Sequence, residues 1–219
     1  NLKNQSQFKQ NLFNSAISLG TKKLHHQKLS ISEKIYDFLL DKLVRKKVKN
    51  NFGGRLEAFV SGGGPLDSRV GEALNALGLK TLQGYGLTET SPVVSCNPLH
   101  KVKVETVGPI FPGVEVKLAD DGEILVKGEN LMLGYWNNQE ATNKTIINGW
   151  LHTGDIGEFD IEGYLKITDR KKDIIVSLGG DNIAPSKLEN LLTLSSDIEQ
   201  ACVFGEQKNY IAALIILSP

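Results

Sequence analysis

The chain has 219 residues, 40% hydrophobic and 23% charged, which describes a globular protein of one large or two small domains. Its 25 Lys/Arg balance 25 Asp/Glu, but residues 1–50 hold 11 basic against 3 acidic side chains and the remainder 14 against 22. No apolar run approaches the ~18 residues of a membrane-crossing helix, the polar start offers no secretory leader, and no nucleic-acid partner is expected.

In chain order, Phe8, Leu12, Ala16 and Leu19 recur at helical spacing, which predicts a helix over 6–19 with Gly20 as its stop. A second helix is expected over 31–49. Ser30 and Glu33 fit a capping box, and Ile31, Ile35, Phe38, Leu39 and Leu43 form its apolar stripe. The basic last turn RKKVK complements the helix dipole. The basic front end suits a solvated helix face, or contact with phosphate or an anionic membrane surface. Leu56–Val60 reads as a short buried strand, followed by the turn Ser61–Gly64 and a helix opening at Pro65 and running to about Leu77. Residues 80–83 begin the next strand, so two Gly-rich loops lie at the C-terminal ends of consecutive strands, the edge where open α/β sheets bind ligands.

From Thr106 the pattern turns to β. Val114, Val116 and Leu118 alternate with polar residues, Asp120-Asp121-Gly122 marks a hairpin turn, and Ile124–Val126 returns. A second hairpin turns at Asp160–Gly163, and the set predicts a small barrel or sandwich. His152, Thr153 and Asp155 are expected on one loop, with His152 as a packing or hydrogen-bonding residue. The four histidines show no zinc-ligand spacing, and Cys96 and Cys202 have no motif, so a reduced cytosolic setting is the simpler expectation. The charged run Asp169–Asp173 reads as an exposed joint. Ile174–Val176, a Gly179-Gly180 loop, a helix from about Pro185 and strands at 201–204 and 211–217 then make an α+β unit. Both ends read as cuts through a longer protein.

The richest stretch is QGYGLTETSP, Gln83 to Pro92. Gly84 and Gly86 let backbone approach a ligand closely, Tyr85 offers a ring face, Thr88 a hydroxyl and Glu89 a carboxylate suited to Mg²⁺. A nucleotide with its metal needs this mixture, whereas a plain Gly-rich turn with a helix cap does not. Asp155, on its own loop, has the two acceptor oxygens that a ribose diol requires.

GYGLTETSP, GEILVKGENLMLGYW, GWLHTGD and YLKITDRKKDIIVSLGGDNIAPSKLE, in this order and spacing, resemble the motifs of the adenylate-forming superfamily. ITDRKKD with SLGGDNIAP, and the stretch from Thr106 to Asn138, are most similar to its long-chain fatty acid–CoA ligase branch. The resemblance covers residues 50–219 and, more loosely, 1–50. It implies a mixed α/β and β fold: the end of a large N-terminal domain, then the start of a small C-terminal one. Within it, 1–50 is a helical segment, 51–104 a βαβ portion, 105–169 a β-barrel-like subdomain and 170–219 an incomplete α+β domain after a hinge.

The activity implied is ATP-dependent activation of a fatty acid through an acyl-adenylate and transfer to CoA, with Mg²⁺. Two alternatives remain open: another acyl- or aryl-adenylating enzyme, such as a fatty acyl-AMP ligase serving a carrier protein, and a non-catalytic nucleotide-binding fragment. By resemblance, Gly84, Tyr85 and Gly86 hold adenine, Thr88 contacts the α-phosphate and Glu89 binds Mg²⁺. Gly62, Gly63 and Gly64 line the adenine and acyl tunnel. Asp155 binds the ribose hydroxyls and Arg170 the ribose or phosphate. Lys172 is the hinge, and Gly179 and Gly180 face the thiol. Thr88, Glu89 and Arg170 are the expected catalytic set. The family's phosphate loop and C-terminal lysine have no counterpart in the sequence, so the 219 residues alone are expected to be inactive or nearly so. The implied location is cytoplasmic, with peripheral contact on the inner membrane face through residues 1–50.

Overall fold

The computed structural model describes residues 6–195 and 197–218. The expected helical segment 1–50 and α+β segment 170–219 are therefore described without residues 1–5, 196 and 219. The chain divides into two compact units, Asn1–Gly86 with Val93–Pro109, and Leu87–Pro92 with Ile110–Pro219.

The first unit opens with α1 (Gln7–Leu24), which runs past the expected stop at Gly20. Gly20 is buried inside the helix, and a Cβ on it would lie 2.6 Å from Ala76 Cα and 2.7 Å from Ala76 Cβ. The glycine therefore serves close helix–helix approach, not termination. Helix α2 (Ile31–Leu40) has the expected capping box: Glu33 N–H donates to Ser30 Oγ (3.2 Å) and Ser30 N–H to Glu33 Oε2 (2.8 Å). It continues through a π-helical stretch, Asp41–Arg45, into α3 (Lys46–Asn50).

The expected apolar stripe of α2 faces outward: Ile31 is 79% exposed, Ile35 62% and Phe38 60%, with Leu39 and Leu43 also exposed. The inward face is Asp37, Leu40, Val44 and Arg45, and Leu40 and Val44 join Ala16, Leu19 and Leu77 in the core. A buried ion pair inverts the face. The Arg45 guanidinium meets Asp37 at 2.7 Å and donates to the carbonyls of Ala16 and Ala76, each at 2.8 Å. Burial alone would raise the Asp37 carboxyl, but hydrogen bonds from Lys23 and Arg45 outweigh it and hold it below its usual range.

The first strand is Phe59–Ser61 and not the buried strand expected over Leu56–Val60, since Val60 is 71% exposed. β1 (Phe59–Ser61) pairs parallel with β2 (Thr81–Tyr85), and α4 (Ser68–Ala76) connects them. Helix α4 starts not at Pro65 but after Asp67, whose carboxylate accepts the N–H of Arg69 (2.8 Å) and Val70 (3.3 Å). β3 (Ser95–Cys96) adds an antiparallel strand beside Gly84 and Tyr85 that the sequence pattern did not disclose.

The second unit centres on a five-stranded antiparallel sheet. β4 (Val114–Leu118) and β5 (Glu123–Gly128) form the first expected hairpin, with Gly122 at φ +82° in its turn. After α5 (Gln139–Thr145) and β6 (Ile146–Ile147), the long strand β7 (Trp150–Phe159) pairs with β5, β6 and β8 (Leu165–Arg170). His152, Thr153 and Asp155 thus lie on a strand, not a loop; register shifts on either side give that strand its irregular course. Ile124, Val126, Leu151 and Leu165 fill its core.

A 3₁₀ turn, Lys171–Asp173, leads to the hairpin β9 (Ile175–Val176) and β10 (Asn182–Ile183), helix α6 (Pro185–Leu192) and the antiparallel pair β11 (Ile198–Phe204) and β12 (Ala212–Leu217). The expected exposed joint is exposed only from Arg170 to Asp173. Asp169 is buried and accepts a hydrogen bond from Ser186 Oγ at 3.0 Å. The architecture is mixed α/β and β, as the motifs imply.

Candidate functional site

Pairing of β7 with β8 sets Asp155 opposite Arg170, and Arg170 Nε stands 3.3 Å from Asp155 Oδ1. Asp155 is 5% exposed, so a carboxylate is held in a nearly dry position with a cation against it. These two residues, with Leu87, Thr153, Gly154, Lys171 and Lys172, line a cavity of about 390 Å³. The cavity floor is built locally. Thr153 Oγ1 donates to Ile124 O (2.7 Å) and accepts Asp155 N–H (3.1 Å), and Gly154 takes φ +72°, a conformation that favours glycine.

Beneath this floor lies Glu123. Its carboxylate is buried and accepts Gly154 N–H (2.9 Å) on one oxygen and Lys171 Nζ (2.9 Å) on the other, with His152 Nδ1 at 3.2 Å. Lys171 Nζ also meets Asp121 Oδ2 at 2.6 Å. Burial alone would push the Glu123 carboxyl up, but hydrogen bonds from Lys171, Gly154 and His152 prevail and hold it low. The same two acidic partners hold Lys171 above the usual lysine range.

A second polar group lies in the 3₁₀ turn Thr88–Thr90. Buried Thr90 fixes the turn, accepting Leu87 N–H at 2.9 Å. Met132 N–H donates to Glu89 O (2.8 Å), Asn130 Nδ2 donates to Thr90 O (2.9 Å), and Tyr135 Oη donates to Glu89 Oε1 (2.8 Å). Burial raises the Tyr135 phenol and Glu89 raises it further, so the ring stays a proton donor at neutral pH. Thr88 is exposed.

In the first unit, Gly62, Gly63 and Gly64 follow β1, and a Cβ on Gly62 would lie 3.6 Å from Gly84 O, so the two glycine-rich turns are neighbours. A Cβ on Gly84 would lie 3.2 Å from Ser95 O; packing against β3 accounts for part of this glycine's use. Tyr85 is half-buried, with its carbonyl taken by Val94 N–H at 2.8 Å, and Gly86 follows. Gly179 and Gly180 form the exposed turn between β9 and β10, Gly180 at φ +87°.

Among the expected site residues, the structure gathers Asp155, Arg170 and Lys172 around one cavity. Thr88, Glu89, Gly179 and Gly180 do not line that cavity, and Gly62, Gly63, Gly64, Gly84, Tyr85 and Gly86 belong to the other unit. Sequence reasoning missed Glu123, Lys171 and Tyr135. Glu123 had one legible signal, a carboxylate opening the otherwise apolar strand run EILV.

Residues 20–136 match the model of the AMP-binding enzyme family, and residues 172–219 match that of the AMP-binding enzyme C-terminal domain. The chain belongs to the AMP-binding enzyme family. A long-chain-fatty-acid–CoA ligase of Mycobacterium bovis is 45% identical over 181 residues, 83% of this chain and 30% of that protein. Fatty acyl-CoA synthetase B of Dictyostelium discoideum is 34% identical, over 93% of this chain and 32% of its own length. The chain thus spans about a third of the curated relatives it matches. Among solved structures, the o-succinylbenzoate CoA synthetase of Bacillus subtilis, in complex with its acyl-adenylate intermediate, aligns with TM-score 0.69 and 28% identity. That alignment covers 89% of this chain and 45% of that one. An anthranilate CoA ligase in complex with anthranoyl-AMP aligns with TM-score 0.65 and 28% identity, over 74% of this chain and 34% of that one. These likenesses agree with the adenylate-forming motifs in the sequence. Among the described residues no helix is long and apolar enough to cross a membrane.

Proposed function

We propose that this chain supplies nucleotide-binding side chains of a long-chain fatty acid–CoA ligase. In the first half-reaction a fatty-acid carboxylate oxygen attacks the α-phosphorus of ATP, giving acyl-adenylate and releasing pyrophosphate. In the second, the CoA sulfur attacks the acyl carbon, gives up its proton and displaces AMP. The observation that carries the reading is the cavity where buried Asp155 stands against Arg170. A carboxylate there accepts two ribose hydroxyls, while the neighbouring guanidinium offsets phosphate charge. Tyr85 with Gly84 and Gly86 takes the adenine, Thr88 the α-phosphate, and Gly62–Gly64 the adenine and acyl tunnel. Lys172 is the pivot of the C-terminal segment, and Gly179-Gly180 approaches the thiol.

Mg²⁺ fits Glu89. The residue offers one half-exposed carboxylate oriented by Tyr135, and Mg²⁺ is held by one or two carboxylates together with substrate phosphates, not by a cage of side chains. When bound it neutralises charge on the phosphates.

The names of the relatives and the family match support fatty acid as the acid and CoA as the acceptor. The test is an assay of the full-length enzyme that carries these residues, not of the 219 residues alone, with ATP, Mg²⁺ and a panel of fatty acids, with and without CoA. Pyrophosphate exchange with fatty acid alone, and AMP plus thioester on adding CoA, is expected. Stalling at acyl-adenylate with free CoA overturns the CoA acceptor, and no exchange with any fatty acid overturns the substrate class.

The basic excess of residues 1–50 and the exposed Ile35, Phe38 and Leu39 of α2 support peripheral contact with an anionic membrane surface. Sedimentation with phosphatidylserine vesicles should show binding that weakens with salt; absent or salt-insensitive binding counts against it.

A further inference from the structure

The ribose pocket and the start of the C-terminal segment share one buried anchor. Of the seven residues that line the cavity, Gly154 and Lys171 are held from below by the same carboxylate, Glu123. Glu123 opens β5, Gly154 is on β7 and Lys171 begins the 3₁₀ turn after β8, so one side chain ties three segments together. Each contact has a definite task. The Gly154 N–H bond at 2.9 Å fixes the Thr153–Gly154 peptide, one residue ahead of Asp155, at a glycine with φ +72°. The Lys171 Nζ bond at 2.9 Å, reinforced by Asp121 at 2.6 Å, tethers the side chain of the residue immediately after Arg170. Glu123 thus braces Asp155 from one side and Arg170 from the other without lining the cavity itself.

The geometry points to Glu123, acting with Lys171, as the positioning residue that aligns the Asp155–Arg170 pair for a ribose diol. The inference rests on the reading of Asp155 as the ribose acceptor. A carboxylate that must accept two hydroxyls together tolerates little rotation, because both hydrogen bonds weaken steeply away from linearity. Loss of the brace therefore degrades diol recognition before it degrades the rest of the nucleotide contacts. A role confined to folding would instead lower the affinity for every nucleotide alike.

The experiment uses the full 219-residue chain with Glu123→Gln, Lys171→Met and, as a control in an exposed ion pair elsewhere on the same sheet, Glu115→Gln. Amide exchange at Gly154 is measured without ligand, and affinity is measured for AMP and for 2′,3′-dideoxy-AMP, which lacks the diol. Glu123→Gln and Lys171→Met should each speed Gly154 exchange and lower AMP affinity, both by about tenfold, the scale of losing one hydrogen bond to a charged group. Dideoxy-AMP affinity should stay unchanged, and Glu115→Gln should match the unmodified chain throughout. Unchanged Gly154 exchange, or an equal loss for both nucleotides, overturns the positioning role. Asp155→Ala separates the two levels. If it leaves AMP affinity intact, or if the unmodified chain binds both nucleotides equally or neither, the ribose reading itself falls. If Asp155→Ala weakens AMP while Glu123→Gln and Lys171→Met do not, only the brace is wrong.

Discussion

The phenol of Tyr135 donates a 2.8 Å hydrogen bond to the carboxylate of Glu89, joining the turn after QGYG to the loop after β5. Two motifs forty-six positions apart are thus parts of one polar group. The bond sets the direction of a carboxylate that the proposed function assigns to Mg²⁺, and its donor is a phenol, a group protonated across the neutral range.

Tyr135→Phe removes that donor and, with it, the oxygen that accepts a hydrogen bond from Thr145. Hydrogen bonds behind a metal ligand commonly contribute ~10-fold or more to metal affinity or activity. The Mg²⁺ concentration for half-maximal acyl-adenylate formation should rise about tenfold, while the KM for ATP at saturating Mg²⁺ changes little. A metal titration of pyrophosphate exchange checks this. An unchanged midpoint would detach Tyr135 from the metal site.

Gly20→Ala tests the packing of α1 against α4. Inside an exposed helix the change gains roughly 0.5–1 kcal/mol from reduced chain entropy and better propensity. Here the new methyl lands 2.6 Å from Ala76 Cα, against backbone that cannot swing aside as a long side chain can. Overpacking of this kind typically costs about 1–3 kcal/mol, so steric cost wins and the net loss should be about 1–2 kcal/mol. Urea denaturation measures it, and a stabilised variant would refute the close approach.

Glu33 carries the pH dependence of the α2 cap. The Lys22 hydrogen bond, then the Ser30 backbone and hydroxyl, lower its pKa from 4.5 to about 2. A depressed folded-state pKa means the stabilisation is fully present above the unfolded value, near 4.5, and is lost as pH falls toward about 2. The stability difference between the natural chain and Glu33→Gln should therefore be constant above pH ~5 and shrink below it. Salt should reduce the Lys22 part, since that pair lies at the surface. Denaturant midpoints at several pH values decide the matter; a difference that grows on acidification contradicts the assignment.

The sequence disclosed those parts of the fold whose causes are local. The Ser30–Glu33 box, the alternation of Val114, Val116 and Leu118, and the turn at Gly122 depend on residues within a few positions of each other. The outward face of α2 was not legible. Burying Arg45 depends on carbonyls of Ala16 and Ala76, tens of residues away, and without them the more apolar face is the better guess. The candidate site follows the same rule. Asp155 and Arg170 could each be singled out by type and motif, but their opposition across β7 and β8 is set by a register shift at Ile156/Gly157 that no residue pattern announces. Glu123 was missed because its partners are 29 to 48 positions downstream.

Lys172→Pro tests the pivot assigned to the 3₁₀ turn. Lys172 is exposed at the centre of Lys171–Asp173, where the chain leaves the sheet for the C-terminal segment. Proline fixes φ near −65° and removes the N–H, so it restricts rotation about this residue, and it disfavours helical backbone at Lys171 before it. Lys172 lines the nucleotide cavity and adjoins the Lys171 anchor, so the substitution should raise the KM for ATP while sparing adenylate formation at saturating ATP. If the thioester half-reaction needs the segment to turn here, acyl-adenylate should accumulate, with pyrophosphate exchange at saturating ATP within about twofold of the unmodified enzyme and thioester formation reduced by two orders of magnitude or more, about 2.7 kcal/mol in the barrier. Single-turnover quenching with and without CoA separates the steps. Equal loss in both halves would assign Lys172 to nucleotide binding and remove the pivot.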